Sequence, residues 1–286
     1  MADTIVCAVD QSEAAGAVFD TARWLADALQ TRLVVVQVAE GSDSDDGERL
    51  ASVRAQLGGE ADDVRLAQGS PARAIMDTAD AENAYLLVVG SRGRGSLRAA
   101  MLGSVSRELT AEARCPLVVV PPTEARSTAS GATEASVVCG VDGSDEALAG
   151  AAFAGALATR LGYRVVVVHA RQNVKAMVSY PGARSETPPA TGQDDSVQQL
   201  VEEVMRRAVE ATGVPATGVV EPGPPADVLE SVAKREGARL IVVTARGLGG
   251  IRAALLGSVA AELTAAATRP VVVLSESASQ AGSAGA

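Results

Sequence analysis

The chain has 286 residues, 47% of them apolar and 2% aromatic, which suffices for two ordinary domain cores built from Val, Leu, Ile and Ala. A formal net charge of −10 excludes general binding to nucleic acid or to an anionic membrane, because both need a basic surface. No run of about 18 uncharged apolar residues is present to span a membrane, and three cysteines, an odd number in a long chain, predict a reducing, cytoplasmic setting.

The opening MADTIVCAVD has neither a basic n-region nor a long apolar stretch, so no signal peptide is expected. A strand is predicted over about 4–9, carrying Cys7 and ending at Asp10. A helix over about 12–30 follows, with Ser12 as its N-cap and Trp24 in the core. Next come a strand at 32–39, a helix at 47–57 and a strand at 63–68. The phrase GSPARAI (69–75) opens a helix over 71–82, and a strand over 85–90 ends at Gly90. A basic, glycine-rich loop leads to Gly103-Ser104 and a helix over 103–113. Cys115 precedes the last strand, 116–121. TEARSTASGATE (123–134) then reads as a linker.

The same phrases return. IVCAVDQSEAA at 5–15 is answered by VVCGVDGSDEA at 137–147, an offset of 132, and Ser144 stands where Ser12 did. Gly69-Ser70-Pro71-Ala72 is answered by Gly223-Pro224-Pro225-Ala226, an offset of 154. Residues 90–120 and 244–274 are identical at 18 of 31 positions. The chain is therefore an internal duplication. The change of offset places a 22-residue insertion between about Arg171 and Asp195, where SYPGARSETPPATGQ has loop composition. Two domains are expected at 1–122 and 135–275, with a disordered tail over 276–286. Strands alternating with helices predict an α/β fold: two doubly wound, Rossmann-like domains, each a five-stranded parallel sheet with helices on both faces.

Ligands of such sheets bind beyond the carboxyl ends of the strands, at the switch in strand order. Asp10, Val38, Gly90 and Gly103-Ser104 all belong to that edge. A glycine loop running into a helix N-terminus converges backbone amides on an anion, so the stretch reads as a phosphate cradle with Arg92, Arg94 and Arg98 beside it. The alternative for the glycines is a tight connection without a ligand. Asp10 and Asp142 are open to a structural role on loop amides, and Arg98 and Arg252 to a helix-surface salt bridge. No Walker loop, dinucleotide fingerprint or zinc spacing is present. The single histidine, His169, aligns with Gln37, which suggests a hydrogen-bonding strand end rather than a catalytic base.

The spacing Gly90-x2-Gly93-x9-Gly103-Ser104, with AVDQSE and GVDGSD at the first strands, GSPARAI, and CPLVVV or RPVVVL at the last strands, resembles the ATP-binding universal stress proteins in tandem form. That resemblance implies an adenine nucleotide, ATP with or without Mg2+, as the ligand. It also implies pairing of the two halves through their last strands, as a pseudo-dimer within the chain; homodimers and a protein partner stay open. It places Ala8, Val9, Asp10 and Val38 at the adenine and ribose, and Gly90, Arg92, Gly93, Gly103, Ser104 and Val105 at ribose and phosphates. The second-half counterparts are Asp142, Ala170, Gly247, Gly257, Ser258 and Val259. Thr244 replaces the first glycine there, and the expectation is a weaker second site. A nucleotide-dependent stress regulator is the implied function, set against a nucleotide-free interaction protein and a slow ATPase.

Overall fold

Runs rich in Val, Leu and Ile make eight of the ten strands, buried on both faces as parallel strands require when helices cover both sides. The two outermost strands, 63–68 and 216–222, are more polar and largely exposed or half-buried. The computed structural model describes residues 4–12, 14–39, 46–56, 63–92, 102–122, 135–171, 193–247 and 256–278. The first half runs β1 (Thr4–Ala8), α1 (Ala15–Leu29), β2 (Arg32–Ala39), α2 (Asp46–Gln56), β3 (Asp63–Gln68), α3 (Pro71–Ala81), β4 (Leu86–Gly90), α4 (Ser104–Glu112) and β5 (Leu117–Val120). The second runs β6 (Ser136–Gly140), α5 (Asp145–Leu161), β7 (Arg164–Arg171), α6 (Gln193–Ala211), β8 (Ala216–Pro222), α7 (Pro225–Arg235), β9 (Ala238–Thr244), α8 (Ser258–Ala266) and β10 (Val271–Leu274).

Each half has the doubly wound order 3-2-1-4-5, and the two halves share one ten-stranded sheet, β3-β2-β1-β4-β5-β10-β9-β6-β7-β8. Every pairing is parallel except β5 with β10. There Val118 lies opposite Val272, with Val119 opposite Val271 and Leu117 opposite Val273. Val272 is the counterpart of Val118 at the offset of 154, so a pseudo-two-fold axis passes between these two valines. Each half thereby covers the other's apolar edge strand. Because the strands of the halves run in opposite directions, their carboxyl ends face opposite edges of the sheet.

Helices α1, α2, α5 and α6 cover one face, where the cores of both halves merge into a single cluster that includes Leu25, Val53, Val118, Leu157, Met205 and Val272. On the other face α3 and α4 keep one core and α7 and α8 another. The merged face carries a reciprocal contact between the halves. The Arg160 guanidinium stacks 4.4 Å from the Tyr85 ring centre and donates to the Leu29 carbonyl at 3.2 Å. At the equivalent place Arg239 stacks 4.7 Å from the ring of Trp24. Residues 85 and 239 are counterparts, so one end takes its cation from the helix and the other from the strand. Trp24, expected in the core, is half-buried at this contact.

Three expectations change. Ser12 does not cap α1, whose N-cap is Ala14; Ser144 does cap α5, accepting from the Ala147 amide at 3.1 Å. Residues 193–195, expected in the inserted loop, open α6, which at 19 residues is longer than the 11-residue α2. Glu276–Ala278, expected in the tail, form a helical turn: Ala278 is buried and its amide donates to Ser275 Oγ, which donates to the Ala113 carbonyl of the first half. The linker at 123–134, the rest of the insertion and the rest of the tail lie outside the described residues.

Helix α6 is brought against α5 by Gly155, where a Cβ would stand 1.8 Å from the Thr212 carbonyl oxygen. Gly155→Ala should therefore destabilise the protein by at least about 1–3 kcal/mol, the usual range for overpacking. At the end of α1, Gln30 holds a left-handed φ of 53° where the end of α5 has Gly162 at 69°. Gln30→Gly should stabilise by about 1 kcal/mol, the cost of a Cβ in that region. Urea denaturation midpoints at constant m-value check both.

Candidate functional site

The strand order reverses between β1 and β4 in the first half, and between β6 and β9 in the second. The β1–β2 register places Ala8 across from Val36, and two residues further on Asp10 faces Val38. The β1–β4 register places Cys7 beside Val88, so three residues on Asp10 comes alongside Ser91, next to Gly90. The Val9 amide donates to the Val36 carbonyl at 3.0 Å, extending the strand to its end. Helix α4 starts at this same edge: Gly103 is its N-cap, and the Gly103 amide donates to the Ser91 carbonyl at 2.9 Å. A glycine cap has no side chain to accept from the first-turn amides, and none caps α4. Ser104 is exposed there and Val105 half-buried.

The second half repeats the construction. The registers bring Asp142 across from Ala170 and alongside Ala245. Gly257, also without a side-chain cap, donates to the Ala245 carbonyl at 2.7 Å, and Ser258 and Val259 follow in the first turn of α8. A Cβ on Gly257 would meet that carbonyl at 3.1 Å, so strand and helix approach closely here. Gly247 packs its Cα on Asp142, where a Cβ would stand 1.9 Å from Oδ2. Of the sixteen residues implied by the resemblance, fifteen stand at these two edges or in the turns leading into them. Gly93 lies outside the described residues, as do Arg94, Arg98 and Arg252.

Both aspartates also hold their own turns. Asp10 Oδ1 accepts from the Ser12 amide at 2.9 Å and from its hydroxyl, and Asp142 Oδ1 accepts from Ser144 at 3.0 and 2.7 Å. Arg92, expected beside phosphates, crosses to the second half, where its Nη2 donates to the Ala265 carbonyl at the end of α8, 3.5 Å away. Its counterpart Arg246 pairs with Glu276 at 2.9 Å. The His169 ring faces the Val141 carbonyl, Nδ1 lying 3.0 Å from the oxygen. A nitrogen facing a carbonyl must carry the proton, so Nδ1 donates and the ring tethers a strand end. Among the described residues no group of three His, Cys, Asp or Glu is placed to hold a metal.

The cysteines behave as core. Burial raises the Cys7 thiol well above its ordinary value and pushes Cys139 up to about 12. Burial, with Asp80 adding to it, takes Cys115 up to about 12, which leaves no thiolate for chemistry. Cys115 lines a small groove of about 100 Å3 between α3 and the C-terminal end of α4, at the opposite end of α4 from Gly103.

Thr244 is not a bare intrusion at its site. Its methyl group sits over Gly150 of α5, 3.0 Å from where a Cβ would be, and its hydroxyl donates to the Arg246 carbonyl at 2.6 Å. In the first half, Gly90 meets Val18, whose Cγ2 would lie 3.2 Å from an added Cβ. Val18 and Gly150 are counterparts, as are Gly90 and Thr244. One side chain fills the space in each half, from the helix in the first and from the strand in the second. A residue not singled out in the sequence, Ser106, ties α4 to β4 by donating to the Gly90 carbonyl at 2.6 Å. Comparing the two halves position by position, Val18 against Gly150 and Ser106 against Ala260, is the signal that reveals both.

An edge of this construction, built twice on one sheet, defines a tandem α/β protein of Rossmann-like fold. The model of the universal stress protein family matches residues 45–121 and 135–275. A Mycobacterium tuberculosis universal stress protein is 34% identical over 194 residues, 68% of this chain. The match spans 63% of that relative's own length. A second from the same species is 35% identical over 208 residues, covering 72% of this chain and 67% of the relative. Crystal structures of universal stress proteins from Pseudomonas aeruginosa UCBPP-PA14 (19% identical, TM-score 0.67, covering 98% of this chain and 95% of that one) and Archaeoglobus fulgidus DSM 4304 (18%, 0.64, 96% and 99%) share the fold along the chain. The chain belongs to the universal stress protein family. No helix among its described residues is long and apolar enough to cross a membrane.

Ser144 accepts from a helix amide and Ser12 does not, so the same truncation should differ between halves. Ser144→Ala should cost about 1 kcal/mol more than Ser12→Ala, the typical value of an N-cap. Thermal melts of the two variants, compared at equal concentration, check the difference.

Proposed function

We propose that the chain binds ATP at the carboxyl edge of its first half and acts as a nucleotide-dependent regulator of the stress response in the cytoplasm. One observation carries this reading: α4 begins at the strand-order switch with a glycine N-cap, beside Asp10 and the end of β4. The first-turn amides at Ser104 and Val105 suit phosphate, because free N–H groups and the helix dipole both favour an anion there. Ala8, Val9 and Val38 supply the apolar wall and Asp10 the acceptor suited to the base and ribose, while its Oδ1 keeps the turn closed on Ser12. Mg2+ accompanying the phosphates would take its ligands from them and from water, there being no three-residue metal set among the described residues. The second half offers the same edge through Asp142, Ala170, Gly247, Gly257, Ser258 and Val259.

Nucleotide released from freshly purified, heat-denatured protein should be identified by mass spectrometry as ATP. Gly103→Val puts a branched side chain against the first-turn amides, each worth about 1.5–3 kcal/mol when bonded to a charged group. ATP affinity at the first half should fall at least about tenfold for each amide that no longer reaches a phosphate oxygen. Calorimetry reads the affinity and circular dichroism the fold. A folded variant with unchanged affinity overturns the assignment.

A further inference from the structure

The two halves secure the approach to the glycine loop with different hydroxyls. In the first half, Ser106 on α4 donates to the Gly90 carbonyl, and Val18 fills the space beside Gly90. In the second half the counterpart of Ser106 is Ala260, a methyl, and the counterpart of Val18 is Gly150, which leaves room. Thr244 fills the room left at Gly150 and brings a hydroxyl of its own, which acts within the turn rather than from helix to strand. Its methyl covers Gly150, and its hydroxyl holds the Arg246 carbonyl. The residue after Arg246 is Gly247, whose Cα rests on the Asp142 carboxylate. A chain of direct contacts therefore runs from the Thr244 hydroxyl, through one peptide unit, to the aspartate that faces Ala170 across the site.

We propose that Thr244 is a positioning residue of the second-half nucleotide site: its hydroxyl fixes the Arg246–Gly247 turn against Asp142, and the second half binds ATP with its help. This rests on the nucleotide reading above, and it reverses the expectation that threonine in place of glycine weakens that half. A tether of this kind acts before the ligand arrives, by holding the loop in one of its conformations, and so contributes to affinity without touching the nucleotide.

The two branches of the side chain do separate jobs, and this separates stability from binding. Thr244→Val keeps the methyl packing and removes the tether; Thr244→Ser keeps the tether and removes the packing. Thr244→Gly removes both, and Thr244→Gly with Gly150→Val rebuilds the first-half packing without the tether. ATP titrations followed by hydrogen exchange of the 256–266 segment read the second half alone, in the full chain, while the 102–112 segment reads the first. Melting temperatures are measured alongside.

Thr244→Val should hold its melting temperature and lose about two- to tenfold in second-half affinity, the range of one neutral hydrogen bond. Thr244→Ser should melt lower and retain most of the affinity. The Gly150→Val double variant should regain stability over Thr244→Gly and still bind weakly. Affinity that follows melting temperature across the four variants, or a Thr244→Gly chain that binds more tightly, overturns the proposal. Protection by ATP in the 102–112 segment with none in 256–266 of the unmodified chain overturns it while leaving the first-half reading intact. Protection in neither segment overturns the nucleotide reading as well.

Discussion

The antiparallel pairing of β5 with β10 is the constraint from which the rest of the molecule follows. A five-stranded half ends in a short, wholly apolar strand, Leu117–Val120 or Val271–Leu274, with an unpaired backbone along one side. An edge of that kind exposed to water invites pairing with another chain. Setting Val118 against Val272 satisfies both edges at once and turns two sheets into one. The merged core beneath α1 and α5 and the opposed direction of the two carboxyl edges are geometric results of that single register.

The opposed edges also explain why Arg92 is where it is. Helix α8 starts at the second-half edge and runs back across the sheet, so its C-terminal end arrives near the edge that carries the first-half loop. A guanidinium leaving β4 meets the last carbonyls of α8, where a cation is favoured by the helix dipole. Ser275 makes the complementary crossing, from the end of β10 to the Ala113 carbonyl after α4. Each half thus places a donor on the trailing end of the helix whose leading end stands at the other half's carboxyl edge.

Much of this was legible in the chain. Short apolar runs and glycine punctuation located the five strands and four helices of the first half to within three residues at each end, because those patterns report burial directly. The duplication carried the same order into the second half. The duplicated phrases marked the edge on which the aspartates, glycines and helix starts meet. What escaped were contacts between residues distant in sequence. Gly155 needs its missing side chain because Thr212 closes on it, and no local pattern announces that. Ser12 has the right residue type for a cap, yet the chain spends its hydroxyl on Asp10 and starts α1 two residues later. Glu276–Ala278 has the composition of a tail, and Ser275 beside it ties it to the Ala113 carbonyl of the other half. Thr244 taken alone looks like an obstruction; beside Gly150 it is half of an exchange.

The two stacked cations at the merged face bind the two halves to each other rather than to copies of themselves. A symmetric pair of separate subunits must present a surface that complements itself, since each residue meets the partner's version of the same neighbours. Tyr85, whose ring also lies 6.2 Å from that of Phe153, would in such a pair face Thr21, Trp24 and Ala28 of its copy, and Arg239 would face Phe153, Ala156 and Arg160. Neither half could make these stacks with its own copy: the first has no arginine at these positions, and the second would set the guanidiniums of Arg239 and Arg160 against each other. Within one chain no such self-match is demanded, and the two ends of the seam are a lock and a key that fit in one combination.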